Sequence, residues 1–135
     1  MGEMIPFITV DGALEAIEFY KDVFNATLQE GMTMLQNVPG YDKPQYAGKV
    51  GHSTLLIGSS RIFLNDSLEE QPIVRGDHIQ LVLDLESEEN LRNAFETLAK
   101  EGNIVQKLHE VFWGALFGTV KDKYGVTWQI YYGHK

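Results

Sequence analysis

The sequence predicts an α+β protein of one domain, residues 1–135, in which two tandem βαβββ modules form a curved mixed sheet with a cleft. Three observations predict it. Two amphipathic helical patterns each follow one β-rich segment and precede three more, so the order strand, helix, strand, strand, strand occurs twice, over residues 1–70 and 77–135. The β-rich segments alternate polar and apolar residues, the period of a half-buried strand. The length of 135 residues falls in the range of roughly 100–200 that forms one domain.

The elements follow in order. Ile5-Pro6-Phe7-Ile8-Thr9-Val10 is a strand ended by Asp11-Gly12. From Ala13 to Phe24 the apolar residues Leu14, Ile17, Phe19, Tyr20, Val23 and Phe24 recur at helical spacing, with Glu15, Glu18, Lys21 and Asp22 on the other face. Asn25 suits the helix end, and Thr27–Leu35 reads as a second strand. Gln36–Lys49 is a long loop rich in turn residues. His52–Ile57 and Arg61–Asn65 flank Gly58-Ser59-Ser60 as a hairpin, and Glu69–Gly76 is a linker. The second module repeats this with strand Asp77–Leu85, N-cap Ser87, helix Glu88–Glu101 with the stripe Leu91, Ala94, Phe95 and Leu98, and Gly102 as a left-handed stop. Strands Ile104–Val111, Leu116–Lys121 and Val126–Tyr132 complete it, and His134-Lys135 reads as a tail.

Composition narrows the function classes. With 11 basic and 19 acidic side chains the formal charge is −8, which repels phosphate and argues against nucleic acid and anionic membranes as partners. The absence of Cys excludes a disulfide scaffold, a Cys-ligated zinc site and a thiol nucleophile. No apolar run approaches the ~20 residues of a membrane span, and Met1-Gly2-Glu3 lacks a basic leader. The expectation is a soluble, cytoplasmic protein. No glycine-rich phosphate loop occurs.

A βαβββ unit covers one sheet face with its helix and leaves the other bare. Alternation assigns Ile8, Val10, Ile79, Leu81, Val126, Trp128 and Ile130 to the covered core. The opposite, cleft face receives Ile5, Phe7, Thr9, His52, Thr54, Leu56, Arg61, Phe63 and Asn65 from the first module. His78, Gln80, Val82, Thr127, Gln129 and Tyr131 follow from the second. From this mixed set Phe7, Phe63, Trp113 and Tyr131 are candidates for apolar ligand contact, and His52, Asn65, His78 and Gln129 for orienting hydrogen bonds. His52 has the side chain of a general base near neutral pH, but no carboxylate partner is assignable to it. Phe112, Trp113 and Phe117 fit either an aromatic wall or internal packing. His109 beside Glu110 reads as a paired surface histidine, and Asp66 as a turn-capping carboxylate, or as an acid–base group if the strand register shifts by one residue. Asp122 and Gly125 read as turn formers, with Trp128 beneath the helix.

Several stretches resemble the vicinal oxygen chelate (glyoxalase/bleomycin-resistance) superfamily, and within it the PhnB-like, demethylubiquinone-methyltransferase-like branch. They are Pro6-Phe7 through Glu18-Phe19-Tyr20 with Phe24, His52 through Gly58, and Phe63-Leu64-Asn65-Asp66. To these add Val111-Phe112-Trp113-Gly114 through Phe117-Gly118, and Asp122-Lys123-Tyr124-Gly125-Val126-Thr127-Trp128-Gln129-Ile130. Lys123 departs from the branch, which commonly has Pro in that turn.

The resemblance implies that metal-using members would place ligands at Ile5, at Phe63 or Asn65, at His78 and at Gln129. Only His78 is a strong ligand type, and one His cannot hold a transition ion that wants three or four protein ligands. No cofactor is therefore expected, with His78 the best candidate if a divalent metal is bound. The resemblance also implies a homodimer and a small-molecule partner. The preferred expectation is a small-molecule-binding protein without a transition metal. The alternative is a divalent-metal-dependent lyase, isomerase or dioxygenase, and whether turnover occurs stays open. A methyltransferase is disfavoured, because no strand, glycine-rich turn and helix for a nucleotide cofactor is present.

Overall fold

Strand β1 (Phe7–Val10) buries Ile8 and Val10 and leaves Phe7 and Thr9 exposed, the alternation that a one-sided sheet imposes. It belongs to the first of two compact units into which the chain of this computed structural model divides, Met1–Ile73 and Val74–Lys135. Residues 2–133 are described; His134 and Lys135, read above as a tail, lie outside them.

In the first unit, α1 (Ala13–Phe24) matches the expected bounds. Its buried face is Ala13, Ala16, Ile17 and Tyr20. Leu14, expected in the stripe, is exposed, because the small alanines are the residues turned to the sheet. Gly12 precedes the helix with a left-handed backbone (φ 92°) and has no side chain to cap it. The buried Asp66 does so instead: its Oδ1 accepts from the Gly12 and Ala13 amides at 2.9 Å each, and its Oδ2 from Val50 N at 2.7 Å. At the other end Asn25 takes φ 54°, a conformation asparagine tolerates.

The expected strand Thr27–Leu35 is broken into β2 (Thr27–Leu28) and β3 (Thr33–Met34) around Gly31 at φ 96°. The following loop is not structureless, since Leu35–Asn37 and Pro44–Tyr46 each form a turn of 3₁₀ helix. β4 (Val50–Ile57) and β5 (Ser60–Asp66) make an antiparallel hairpin over Gly58-Ser59. β5 pairs in parallel with β1, giving the order β1-β5-β4-β2 with β3 also on β4. Leu55 and Leu64 are wholly buried on the helix side, each contributing about 1.5–3 kcal/mol of transfer free energy.

The second unit repeats the plan. β6 (Leu81–Asp84) pairs in parallel with β9 (Thr127–Tyr132), and β8 (Leu116–Lys121) lies between β9 and β7 (Asn103–Glu110), for the order β6-β9-β8-β7. In both units the first strand therefore lies parallel to the last. Helix α2 (Glu88–Ala99) buries Leu91, Ala94, Phe95 and Leu98 as expected, and the Ser87 hydroxyl accepts from Asn90 N at 3.1 Å as its N-cap. The backbone hydrogen bonds group the strands into two mixed sheets, one within each unit.

Two expectations are corrected here. Gly102 is not the left-handed stop; Glu101 takes φ 60°, and the helix closes at Ala99. Glycine is needed at 102 because a Cβ there would lie 2.5 Å from the Lys121 carbonyl oxygen and 2.6 Å from that of Leu98. The strand expected from Asp77 begins only at Leu81, so Ile79, assigned to the core, lies before the ladder and is 75% exposed.

Candidate functional site

Alternation on three neighbouring strands places Phe7 and Thr9 of β1, Arg61, Phe63 and Asn65 of β5, and His52, Thr54 and Leu56 of β4 on the face of the first sheet that α1 does not cover. Register sets Phe7 opposite Phe63, Thr9 opposite Asn65, Thr54 opposite Phe63 and Leu56 opposite Arg61. Phe7, His52 and Phe63 meet edge to face, with ring centres 5.9 Å apart for Phe7–Phe63, 4.6 Å for His52–Phe63 and 6.1 Å for Phe7–His52. Such pairs prefer this geometry because each ring presents a negative face to a positive edge. The cluster is held from below by the buried Leu55, Ile62 and Leu64 on the opposite side of the same strands.

Polar groups rim these rings. Thr9 Oγ1 donates to Asn65 Oδ1 at 2.8 Å, and His52 Nε2 lies 3.5 Å from Thr54 Oγ1. Arg61 grips Glu3 through Nη2 and Nε, 2.7 and 3.2 Å from Oε1, with its guanidinium carbon 6.0 Å from the centre of the Phe63 ring. That contact holds the Glu3 carboxyl below its usual range and the Arg61 guanidinium above its own, the shared hydrogen bonds being the first cause of each shift. No hydrogen bond joins His52 to a carboxylate among the described residues, so a His–acid catalytic pair is not built here.

The open face of the second sheet is different. Gln129 and Tyr131 of β9 project there, Val82 of β6 lies opposite Gln129, and Phe117 of β8 lies opposite Tyr131. Trp113 Nε1 donates to the Tyr131 hydroxyl at 3.0 Å, and Gln129 Nε2 donates to Gln80 Oε1. Phe112 and Trp113 stand at the turn between β7 and β8, 97% and 59% exposed. His109 packs edge-on to Phe117 at 5.5 Å and donates from Nδ1 to the Lys107 carbonyl at 2.8 Å. Thr127 Oγ1 is buried without a hydrogen-bond partner among the described residues. Asp122 ties the turn before β9, accepting from Tyr124 N, Val126 N and Trp128 Nε1, and Gly125 takes φ +87° there.

The first unit thus brings together Phe7, His52, Phe63 and Asn65, and the second brings together Trp113, Gln129 and Tyr131. Among the described residues His78 joins neither group by a hydrogen bond or ring contact; it lies exposed on the bend before β6. Asp66, weighed above as a capping group, is that. Sequence reading placed Arg61 on this face but did not count it as a site residue, and it gave Glu3 no role. The signal for Arg61 was a cation at an inward-alternating strand position; nothing local marked Glu3.

The donors do not fit a transition metal. Ile5 and Phe63 carry none, the Asn65 oxygen is occupied by Thr9, the Gln129 amide is engaged by Gln80, and His78 lies off the strand. Among the described residues no group of three or more His, Asp or Glu could hold a metal ion.

Residues 5–130 match the Glyoxalase/Bleomycin resistance protein/Dioxygenase superfamily, and the chain belongs to it. Its likeness within that superfamily runs to PhnB-like proteins. The chain is 32% identical over 114 residues to protein YjdN of Escherichia coli K12, covering 82% of this chain and 74% of that one. It is 26% identical to a solved PhnB protein from Bacillus cereus, with TM-score 0.81 over 97% of this chain and 99% of that one. Protein PA1353 from Pseudomonas aeruginosa shares the fold, at TM-score 0.85 and 24% identity over 98% of each chain.

Proposed function

We propose that the protein binds a small, partly aromatic molecule on the open face of its first sheet without a transition metal. The observation that carries this is the Phe7–His52–Phe63 cluster: three rings on the face that α1 does not cover, bordered by the Thr9–Asn65 pair and Arg61. An apolar floor with a few placed polar groups is the usual composition of a ligand site. Phe7 and Phe63 offer edge and face contacts, each such aromatic pair being worth about 0.5–1.5 kcal/mol beyond area burial. His52 and Asn65 orient polar substituents. Trp113, Gln129 and Tyr131, on the open face of the second sheet, are candidate ligand contacts of that unit by itself; His78, exposed on its bend, is the weakest candidate.

The metal-dependent lyase, isomerase or dioxygenase reading meets, at the implied positions, side chains without donors, amides already engaged and a His78 off the strand, so binding and recognition are preferred over metal chemistry. The name that one relative's branch carries, a demethylubiquinone methyltransferase, finds no nucleotide-binding turn in this sequence. The reading includes a homodimer, supported by the exposed Phe112, Ile79 and Val82, apolar surface of the kind a second copy covers. It also includes a cytoplasmic location, in keeping with a chain that has no Cys; among the described residues no helix is long and apolar enough to cross a membrane.

Ligand-observed NMR with a panel of one- and two-ring aromatic fragments tests this, alongside elemental analysis of protein purified without chelator. Binding that Phe63→Ala and His52→Ala each weaken at least fivefold, in protein free of stoichiometric metal, is expected. Stoichiometric zinc, nickel, manganese or iron, or fragment binding indifferent to both substitutions, would overturn the reading.

A further inference from the structure

We propose that the open face of the first sheet selects an aromatic carboxylate, and that Glu3 occupies the carboxylate seat until such a ligand displaces it. This rests on the reading of that face as a small-molecule site and adds the chemical class. Arg61, Phe63 and Asn65 lie in a row on one side of β5. The guanidinium at one end of the row is 6.0 Å from the centre of the Phe63 ring and already binds a carboxylate, that of Glu3, through Nη2 and Nε. A planar fork holding a carboxylate is the geometry for which arginine is suited and lysine is not. The carboxylate therefore sits at the border of the Phe7–His52–Phe63 floor, and what this chain lacks there is a ring attached to it. A ligand carrying both would keep the ion pair and add contact with Phe63 and Phe7.

The occupant is displaceable. Glu3 precedes β1 and belongs to no strand, and its side chain is half exposed, as is that of Arg61. Exposed pairs of this kind contribute little net stability, because each charge retains water and two long side chains lose freedom. An external carboxylate faces little resistance from the internal one, while the aromatic contacts favour the ligand. At the far end of the row the Asn65 oxygen is occupied by Thr9, leaving its amide hydrogens to donate to a polar substituent across the ring.

The test is a ¹H–¹⁵N NMR titration of the full chain with benzoate and, separately, with benzyl alcohol, which keeps the ring and removes the charge. Benzoate is expected to shift the amides of Phe7, His52, Arg61 and Phe63 and to bind at least tenfold more tightly than benzyl alcohol. Arg61→Gln should remove that difference. Glu3→Gln should tighten benzoate about two- to fivefold, the range that loss of an exposed competing ion pair allows. Equal affinity for the two probes, or benzoate binding unchanged in R61Q, overturns the carboxylate assignment while leaving the face an aromatic site. Unchanged benzoate affinity in E3Q overturns the claim that Glu3 holds the seat. No shift with either probe overturns this inference together with the reading beneath it.

Discussion

Replacing Asp66 by alanine should cost about 3–5 kcal/mol. The carboxylate is 6% exposed and accepts three backbone N–H groups, those of Gly12 and Ala13 at the start of α1 and that of Val50 at the start of β4. Each donor left without a partner costs about 1–3 kcal/mol. The figure for Gly12 falls at the low end, since that residue is exposed and water can reach it. The loss is a large share of a typical total of about 5–15 kcal/mol. In urea, with a slope of about 2 kcal/mol/M, the midpoint should fall by about 2 M at unchanged slope. Asp66→Asn keeps one acceptor oxygen for the helix start and sets an amide donor against Val50 N–H, so about 2 kcal/mol is expected. A loss below about 1 kcal/mol in Asp66→Ala would refute the claim that this carboxylate fastens helix and hairpin together. Loss of ligand binding in a variant of unaltered stability would instead place Asp66 in the site's chemistry.

Three further outcomes are expected. Ser87→Ala removes the only side-chain cap described for α2 and should lower stability by about 1 kcal/mol in the same assay, whereas Ser87→Gly should cost only a few tenths. Iodide should quench Trp113, which is 59% exposed, and spare Trp128, which is 2% exposed and bonded to Asp122; a quenchable fraction persisting in Trp113→Phe would contradict that assignment. The Glu3 carboxyl, followed by ¹³C NMR, should titrate below the usual glutamate range because Arg61 bonds its ionised form. The pair's contribution is then complete above the unfolded-state pKa and fades as the pH falls through the lowered one; R61Q should return the midpoint to the usual range.

The helices and the repeat were legible because their signals are local. The stripe Leu91, Ala94, Phe95 and Leu98 and the Ser87 cap lie within one segment, and all are found as read. On β1, β4 and β5 the alternation separated Phe7, Thr9, His52, Thr54, Leu56, Arg61, Phe63 and Asn65 from the buried side, since a period of two leaves only one alternative register, whereas Ile5 lies before β1. Reading failed where tertiary contact decided. Leu14 lost the buried face of α1 to Ala13 and Ala16, which give the close approach a leucine would block. Gly102 looked like a helix stop but answers to carbonyls of Lys121 and Leu98, a contact invisible in sequence. The apolar alternation Ile79, Leu81, Leu83 continues past the point where β6 begins, so it overextended the strand and carried His78 onto it. The Glu3–Arg61 pair spans 58 positions, a separation no local pattern reports.

The most direct test of the central claim is an amide shift map of the full chain with a neutral one-ring aromatic fragment, recorded before and after dialysis against EDTA. Perturbations concentrated at Phe7, His52 and Phe63 and identical in both samples are predicted. Perturbations confined to other residues, or abolished by the chelator, would contradict it.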